Sequence, residues 1–170
     1  MTNYTAAIAL GCLCAECPLG VGAEKPSKPV LPEIRDTALL LVVGEAPGGE
    51  EVKTGMPFVG ASGFLLQEVL RKNGLHRGDV SLTNALLCRP PSEFRTFMRV
   101  LGARNRARKK SGEKLWPSPV ACCRPRLLRE VTAARAVLTL GATALAAVRG
   151  TALEESGMMR ARGFPQVWRP

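Results

Sequence analysis

The stretch VVGEAPGGEEVKTGMPFVG, residues Val42–Gly60, decides the architecture. The apolar run Leu39–Val43 stops at Gly44 and a carboxylate follows at Glu45. Pro47-Gly48-Gly49 then turns the chain, and Pro57-Phe58-Val59-Gly60 opens a helix. An apolar strand that runs into a glycine-rich loop ahead of a helix is how open α/β proteins build ligand sites, at the carboxyl ends of their strands. Glu45 takes that position.

Working outward, the periodicity predicts a helix over Ala61–Asn73, with Leu65, Leu66, Val69 and Leu70 on one face and Gly74 as its stop. Asp79–Asn84 reads as a second strand and leads into Ala85–Pro91. Ser92–Lys110 reads as a basic helix whose apolar patch is Phe94, Phe97, Met98 and Leu101. A further helix over Val120–Ala133 is expected to be interrupted in its first turns by Pro125. Ala136–Leu140 reads as a third strand and Gly141–Val148 as a short helix. Ala23–Pro32, with three prolines, reads as an extended connector. Strands alternating with helices predict a three-layer α/β/α sandwich around a short parallel sheet. No repeat or second domain is visible, so residues 1–170 read as a single domain.

No apolar run reaches the roughly 18–20 residues that span a membrane. Met1–Gly11 lacks the basic and apolar regions of a signal peptide, so the expected location is the cytoplasm. The formal net charge of +10 is concentrated. Between Phe94 and Lys114 stand eight basic residues (Arg95, Arg99, Arg104, Arg106, Arg108, Lys109, Lys110, Lys114) against the single acid Glu113. Such a segment suits the phosphate backbone of a nucleic acid. The plainer reading is a solvated helix face. An acidic membrane surface fits less well, because no apolar stripe accompanies the charge.

Six cysteines in a chain of this kind point to metal ligation or packing rather than disulfides. Cys14 and Cys17 form a CxxC, Cys88 follows the second strand, and Cys122-Cys123 opens a helix. Four thiolates suit zinc or an iron–sulfur cluster, and composition does not choose between them. Two cysteines, Cys12 and Cys122, are left for packing.

Six motifs in this order resemble the iron–sulfur (family 4) uracil-DNA glycosylases, especially the glycosylase-like domains of phage proteins related to a phage DNA polymerase. They are CxxCPL (Cys14–Leu19), GEAPGGEE with GMPFVG (Gly44–Gly60), LTNALLCRPP (Leu82–Pro91), CRPRLL (Cys123–Leu128), LTLGATAL (Leu138–Leu145) and ARGFP (Ala161–Pro165). The resemblance implies a [4Fe–4S] cluster on Cys14, Cys17, Cys88 and Cys123, with zinc the alternative, and an iron–sulfur arm at about residues 1–32. It implies that Phe58 stacks on a flipped uracil, Asn84 reads the uracil edge, and Glu45 orients a water or offsets charge on the sugar. Gly44, Ala46 and Gly48 would lie along the base. Phe58 could instead be core packing, and Asn84 a turn cap. The 34 residues between Cys88 and Cys123 exceed the family's usual separation, so residues 92–119 read as a basic, DNA-facing insertion. Where the family often carries Glu-Asp, this sequence has Glu51-Val52.

The family also follows the ARGFP segment with a fourth strand and a His-Pro motif, whereas this sequence ends at Pro170. The only histidine, His76, is placed at the amino ends of the strands, away from the expected site. The sequence therefore predicts a uracil-DNA glycosylase-like protein of impaired activity, with the sheet edge completed by another segment or a protein partner, in a bacterial or phage-infected cell. The competing expectation is a non-catalytic iron–sulfur DNA-binding subunit of a replication or repair assembly, and a zinc-bound structural module ranks behind both.

Overall fold

A computed structural model describes residues 3–20, 23, 26–151 and 163. The end of the sequence, after which the family's fourth strand and His-Pro motif would follow, and the Ala161–Pro165 motif apart from Gly163 lie outside the described residues.

The elements run α1 (Asn3–Ala9), β1 (Leu40–Gly44), α2 (Gly49–Thr54), α3 (Ala61–Lys72), β2 (Val80–Asn84), α4 (Phe94–Lys110), α5 (Pro119–Ala133), β3 (Ala136–Thr139) and α6 (Ala142–Arg149). The three strands form one parallel sheet in the order β2-β1-β3. Leu40 pairs with Val80 and Gly44 with Asn84, so β1 and β2 end level with one another.

Alternation along β1 creates the layers. Leu41 and Val43 pack against Leu127 and Val131 of α5 and Ala144, Ala147 and Val148 of α6. Val42 faces the other way, onto Leu66 and Leu70 of α3 with Val80 and Leu82 of β2. The architecture is therefore the expected α/β/α sandwich. The connector closes the outer edge of β2: Glu33 exchanges backbone hydrogen bonds with Leu82 (2.8 and 2.9 Å), and Val30 donates to the Leu87 carbonyl. Along β3, Ala136 and Leu138 are exposed among the described residues. No helix of the described residues is long and apolar enough to cross a membrane.

Three local expectations need correction. α5 is unbroken through Pro125. Its start is secured by Ser118, which accepts from the Ala121 N–H at 3.1 Å, and by Pro119 in the first turn, while Leu127 and Val131 anchor its other half in the core. These contacts offset the hydrogen bond lost at the proline. Leu65 and Val69 do not share the buried face of α3 and stand exposed, because only Leu66 and Leu70 point at the sheet. Finally, α1 and α2 were not anticipated; both are under eight residues, too short for periodicity to register.

Candidate functional site

The carboxyl ends of β1 and β2 bring together Gly44, Phe58 and Asn84. A Cβ on Gly44 would stand 2.3 Å from the Asn84 side-chain oxygen and 2.8 Å from Phe58 Cζ. Only glycine lets the amide and the ring edge meet there. Asn84 is buried at the last position of β2. Phe58 is packed beneath α3 with Val42 and Leu66, so its ring serves the core while its edge reaches Gly44. Phe58 is also the one non-glycine residue with positive φ (55°) among the described residues. That conformation costs energy in a bulky residue and persists only where neighbours impose it. Arg77 supplies the restraint: it donates to the Pro57 carbonyl at 2.7 Å and the Phe58 carbonyl at 3.1 Å, and pairs with Glu33 at 2.5 Å.

Glu45 follows directly, its side chain exposed at the strand end. Thr143, buried in the first turn of α6, donates its hydroxyl to Glu45 Oε2 at 2.6 Å. This contact joins the β1 loop to the LTLGATAL motif, which sequence reasoning had used for recognition without giving Thr143 a task. Gly48 lies against the Glu51 carboxylate, and Ala46 packs toward the cysteines. Glu51 was also underrated. It is buried, and its Oε1 accepts from the Gly60 N–H at 3.0 Å, which ties the Gly48 turn to the start of α3. One carboxylate thus holds the loop together where Val52 offers none. Its signal was available: an acid nine residues before Gly60, at the N-terminus of α3.

All six cysteines are buried and free, and together they line a single small cavity with Leu86, Leu87 and Pro119. They come from three separate stretches: the arm after α1, the segment after β2, and the first turns of α5. Tyr4 of α1 anchors the arm through hydrogen bonds to the carbonyls of Leu19 (3.1 Å) and Ser27 (2.8 Å). Burial pushes the Cys14 thiol up to about 11, and burial with neighbouring thiolates raises Cys88. Cys123 goes the other way. A hydrogen bond from Cys12, the Arg126 charge and the Leu87 N–H all favour its thiolate. Likewise a hydrogen bond from Cys17 lowers Cys122.

Cys14, Cys17, Cys88 and Cys123, the expected ligand set, line this cavity together with Cys12 and Cys122. Soft thiolates, an apolar lining and a buried guanidinium nitrogen without a partner (Arg126 Nε) suit an anionic sulfur-ligated centre. Among the described residues no three His, Cys, Asp or Glu side chains are gathered as ligands of one metal ion. Thiols in such a lining suit zinc as well as an iron–sulfur centre.

The expected basic residues divide into two groups. Arg95, Arg99, Arg104, Arg106, Lys109, Lys110 and Lys114 are exposed. Arg108 is instead structural. It stacks 4.6 Å from the Trp116 ring centre, donates to the Lys114 carbonyl at 2.7 Å and pairs with Glu113 at 2.9 Å. His76 is exposed in the turn before β2, where its backbone N–H bonds Asp79 at 2.7 Å, at the opposite end of the strand from Asn84.

Residues 31–168 match the sequence model of the Uracil DNA glycosylase superfamily. Among curated proteins, the chain is 46% identical over 80 residues to a type-4 uracil-DNA glycosylase of Pyrobaculum aerophilum, a match covering 46% of this chain and 39% of that protein. It is 44% identical over 79 residues to the type-4 enzyme of Thermotoga maritima, covering 46% of this chain and 40% of the relative. With the Archaeoglobus fulgidus type-4 enzyme it shares 49% identity over 73 residues, 43% of this chain and 31% of that one. The matched region thus spans well under half the length of these relatives.

Proposed function

The chain belongs to the uracil-DNA glycosylase superfamily, and from that premise we propose that it binds DNA, takes a uracil out of the stack and hydrolyses its N-glycosidic bond. The observation that carries the reading is the meeting of the Asn84 amide and the Phe58 ring over Gly44. In this reading uracil stacks on Phe58 while Asn84 donates to O4 and accepts from N3–H. Cytosine presents a donor and an acceptor in the reverse order, so one fixed amide separates the two bases. Gly44, Ala46 and Gly48 give the base and sugar a backbone wall without bulky side chains. Glu45, steadied through Oε2 by Thr143, turns its other oxygen toward the sugar. There it orients the attacking water and offsets positive charge as the bond breaks, a contribution of about 3 kcal/mol for a well-placed group.

Cys14, Cys17, Cys88 and Cys123 are proposed to hold a [4Fe–4S] cluster, which when bound supplies a brace between the arm, the end of β2 and α5. The exposed residues of α4 and Lys114 are proposed to meet the phosphate backbone, including that of single-stranded DNA, and the expected cellular address is the cytoplasm. Among the described residues β3 ends the sheet, and its outer side is where a further segment or partner chain would extend it. A second reading, a DNA-binding iron–sulfur subunit without catalysis, is favoured by one observation: the exposed basic cluster is carried by α4 and Lys114, on elements other than those of Glu45 and Asn84.

Incubation with single-stranded uracil-DNA, then alkali, separates the two. Strand scission that disappears in Glu45→Gln supports the glycosylase. DNA binding without scission overturns it in favour of the binding subunit.

A further inference from the structure

Arg126 is fully buried on α5, three residues beyond Cys123 and so on the same helix face. Its guanidinium donates through Nη1 to Thr83 Oγ1 at 2.7 Å and to Glu130 Oε2 at 2.8 Å. Through Nη2 it donates to the backbone carbonyls of Asn84 at 2.8 Å and Ala85 at 3.2 Å. Cys123 stands one turn before it on the same helix, in the wall of the cysteine cavity, and Arg126 Nε is buried without a hydrogen-bond partner among the described residues. Burying a charged fork is costly, and one carboxylate does not use all of its donors.

The two peptide groups held by Nη2 are held from behind as well. The N–H of Ala85 donates to the Gly44 carbonyl at 2.8 Å, and the N–H of Leu86 to the Glu45 carbonyl at 3.0 Å. The units Asn84–Ala85 and Ala85–Leu86 therefore form a two-rung bridge, with Arg126 and Cys123 on one side and Gly44 and Glu45 on the other. Three residues further on stands Cys88, also in the cysteine cavity.

We propose that Arg126 is a positioning residue that couples the Cys123 wall of the cysteine cavity to Asn84, Gly44 and Glu45. What fills the cavity thereby sets the geometry of the base-reading end of the sheet. The inference rests on the proposed function for the meaning of those three residues, though not for the linkage itself. A planar fork is required. Lysine would keep the charge near Cys123, but a point charge cannot span Thr83 and two successive carbonyls.

The test uses the full chain purified without oxygen, with the variants Arg126→Lys and Arg126→Gln. Backbone hydrogen exchange is followed at Ala85 and Leu86, and the reduction midpoint of the iron centre is recorded alongside. In Arg126→Lys, exchange at these two amides rises at least tenfold while the rest of the sheet stays protected, and the midpoint remains that of the wild type. In Arg126→Gln the exchange rises equally and the midpoint also falls, because a positive charge has left the sulfur. Unchanged exchange at Ala85 and Leu86 in Arg126→Lys overturns the inference, as does a uniform rise across all three strands, which would mark a merely structural arginine. Absence of iron in the wild type counts against the cluster reading alone, since the exchange comparison still decides the linkage. Should Arg126→Gln fail to fold, Thr83→Val removes one arm of the fork and should raise exchange at the same two amides.

Discussion

At the scale of single residues the site depends on one absent side chain. Gly44 is where the Asn84 amide and the Phe58 edge meet, and a methyl group there would come within 2.3 Å of the first and 2.8 Å of the second. Gly44→Ala must displace one of them. Overpacking of this kind costs about 1–3 kcal/mol, and the adjustment falls on the two groups proposed to hold uracil. Gly44→Ala is therefore expected to lower affinity for uracil-containing single-stranded DNA at least about tenfold (about 1.4 kcal/mol) and leave thymine-containing DNA bound as before. Titration of the two DNAs by fluorescence anisotropy checks this, and equal loss on both would place the effect elsewhere. Gly44 was placed by the strand end and the glycine turn, whereas Phe58 and Asn84 were singled out by the family resemblance rather than by any local pattern. Thr143, Arg77 and Arg126 were not legible, since each acts on a residue at least 19 positions away and side-chain reach across a fold leaves no local pattern.

At the scale of the element, α4 separates packing from charge by helix geometry. Phe94 and Leu101 are buried, and Asn105 fixes the return of the chain through reciprocal hydrogen bonds with Trp116 (2.8 and 3.0 Å). Arg95, Arg99, Arg106 and Lys110, at i, i+4, i+11 and i+15, fall on one solvent face. Each phosphate contact on single-stranded DNA contributes about 0.7 to the slope of log affinity against log salt. Changing these four residues to Gln should flatten that slope by about 2–3 and weaken binding most at low salt, with α4 still folded. Arg108→Gln is the contrast: it frees the Trp116 loop and should leave the slope nearly unchanged. A slope unmoved by the fourfold variant would remove α4 from the interface. The helix itself was readable from composition and spacing. That Arg108 belongs to Trp116 was not, because a run of like charges conceals which member finds an aromatic partner.

At the scale of the whole molecule, two kinds of core are joined. The two groups that sandwich the sheet contain no cysteine: Leu41, Val43, Leu127 and Val131 on one side, Val42, Leu66, Leu70 and Leu82 on the other. The other two groups hold every cysteine, together with Ala7, Leu19, Leu86, Leu87 and Phe94. The sandwich was legible because strand–helix alternation is written in local periodicity. The second region was legible only as cysteine spacing, since its walls come from residues more than 100 positions apart, as in the 2.9 Å hydrogen bond from Leu13 to the Cys122 carbonyl. This division predicts how the protein comes apart. Stripping iron with a chelator under reducing conditions leaves four buried thiols without the centre proposed to join them, while the sheet keeps all its apolar contacts. Limited proteolysis should then cut within the arm, residues 3–20, at least about tenfold faster, equivalent to about 1.4 kcal/mol of local opening. Cleavage within β1, β2 and β3 should not accelerate. Cys88→Ser should reproduce the pattern without chelator, because Cys88 is the one thiol contributed by the segment after β2. Simultaneous loss of arm and sheet would mean that the cysteine region and the sandwich form one cooperative unit. Protection unchanged by chelation would mean that apolar packing and the Tyr4 hydrogen bonds hold the arm by themselves.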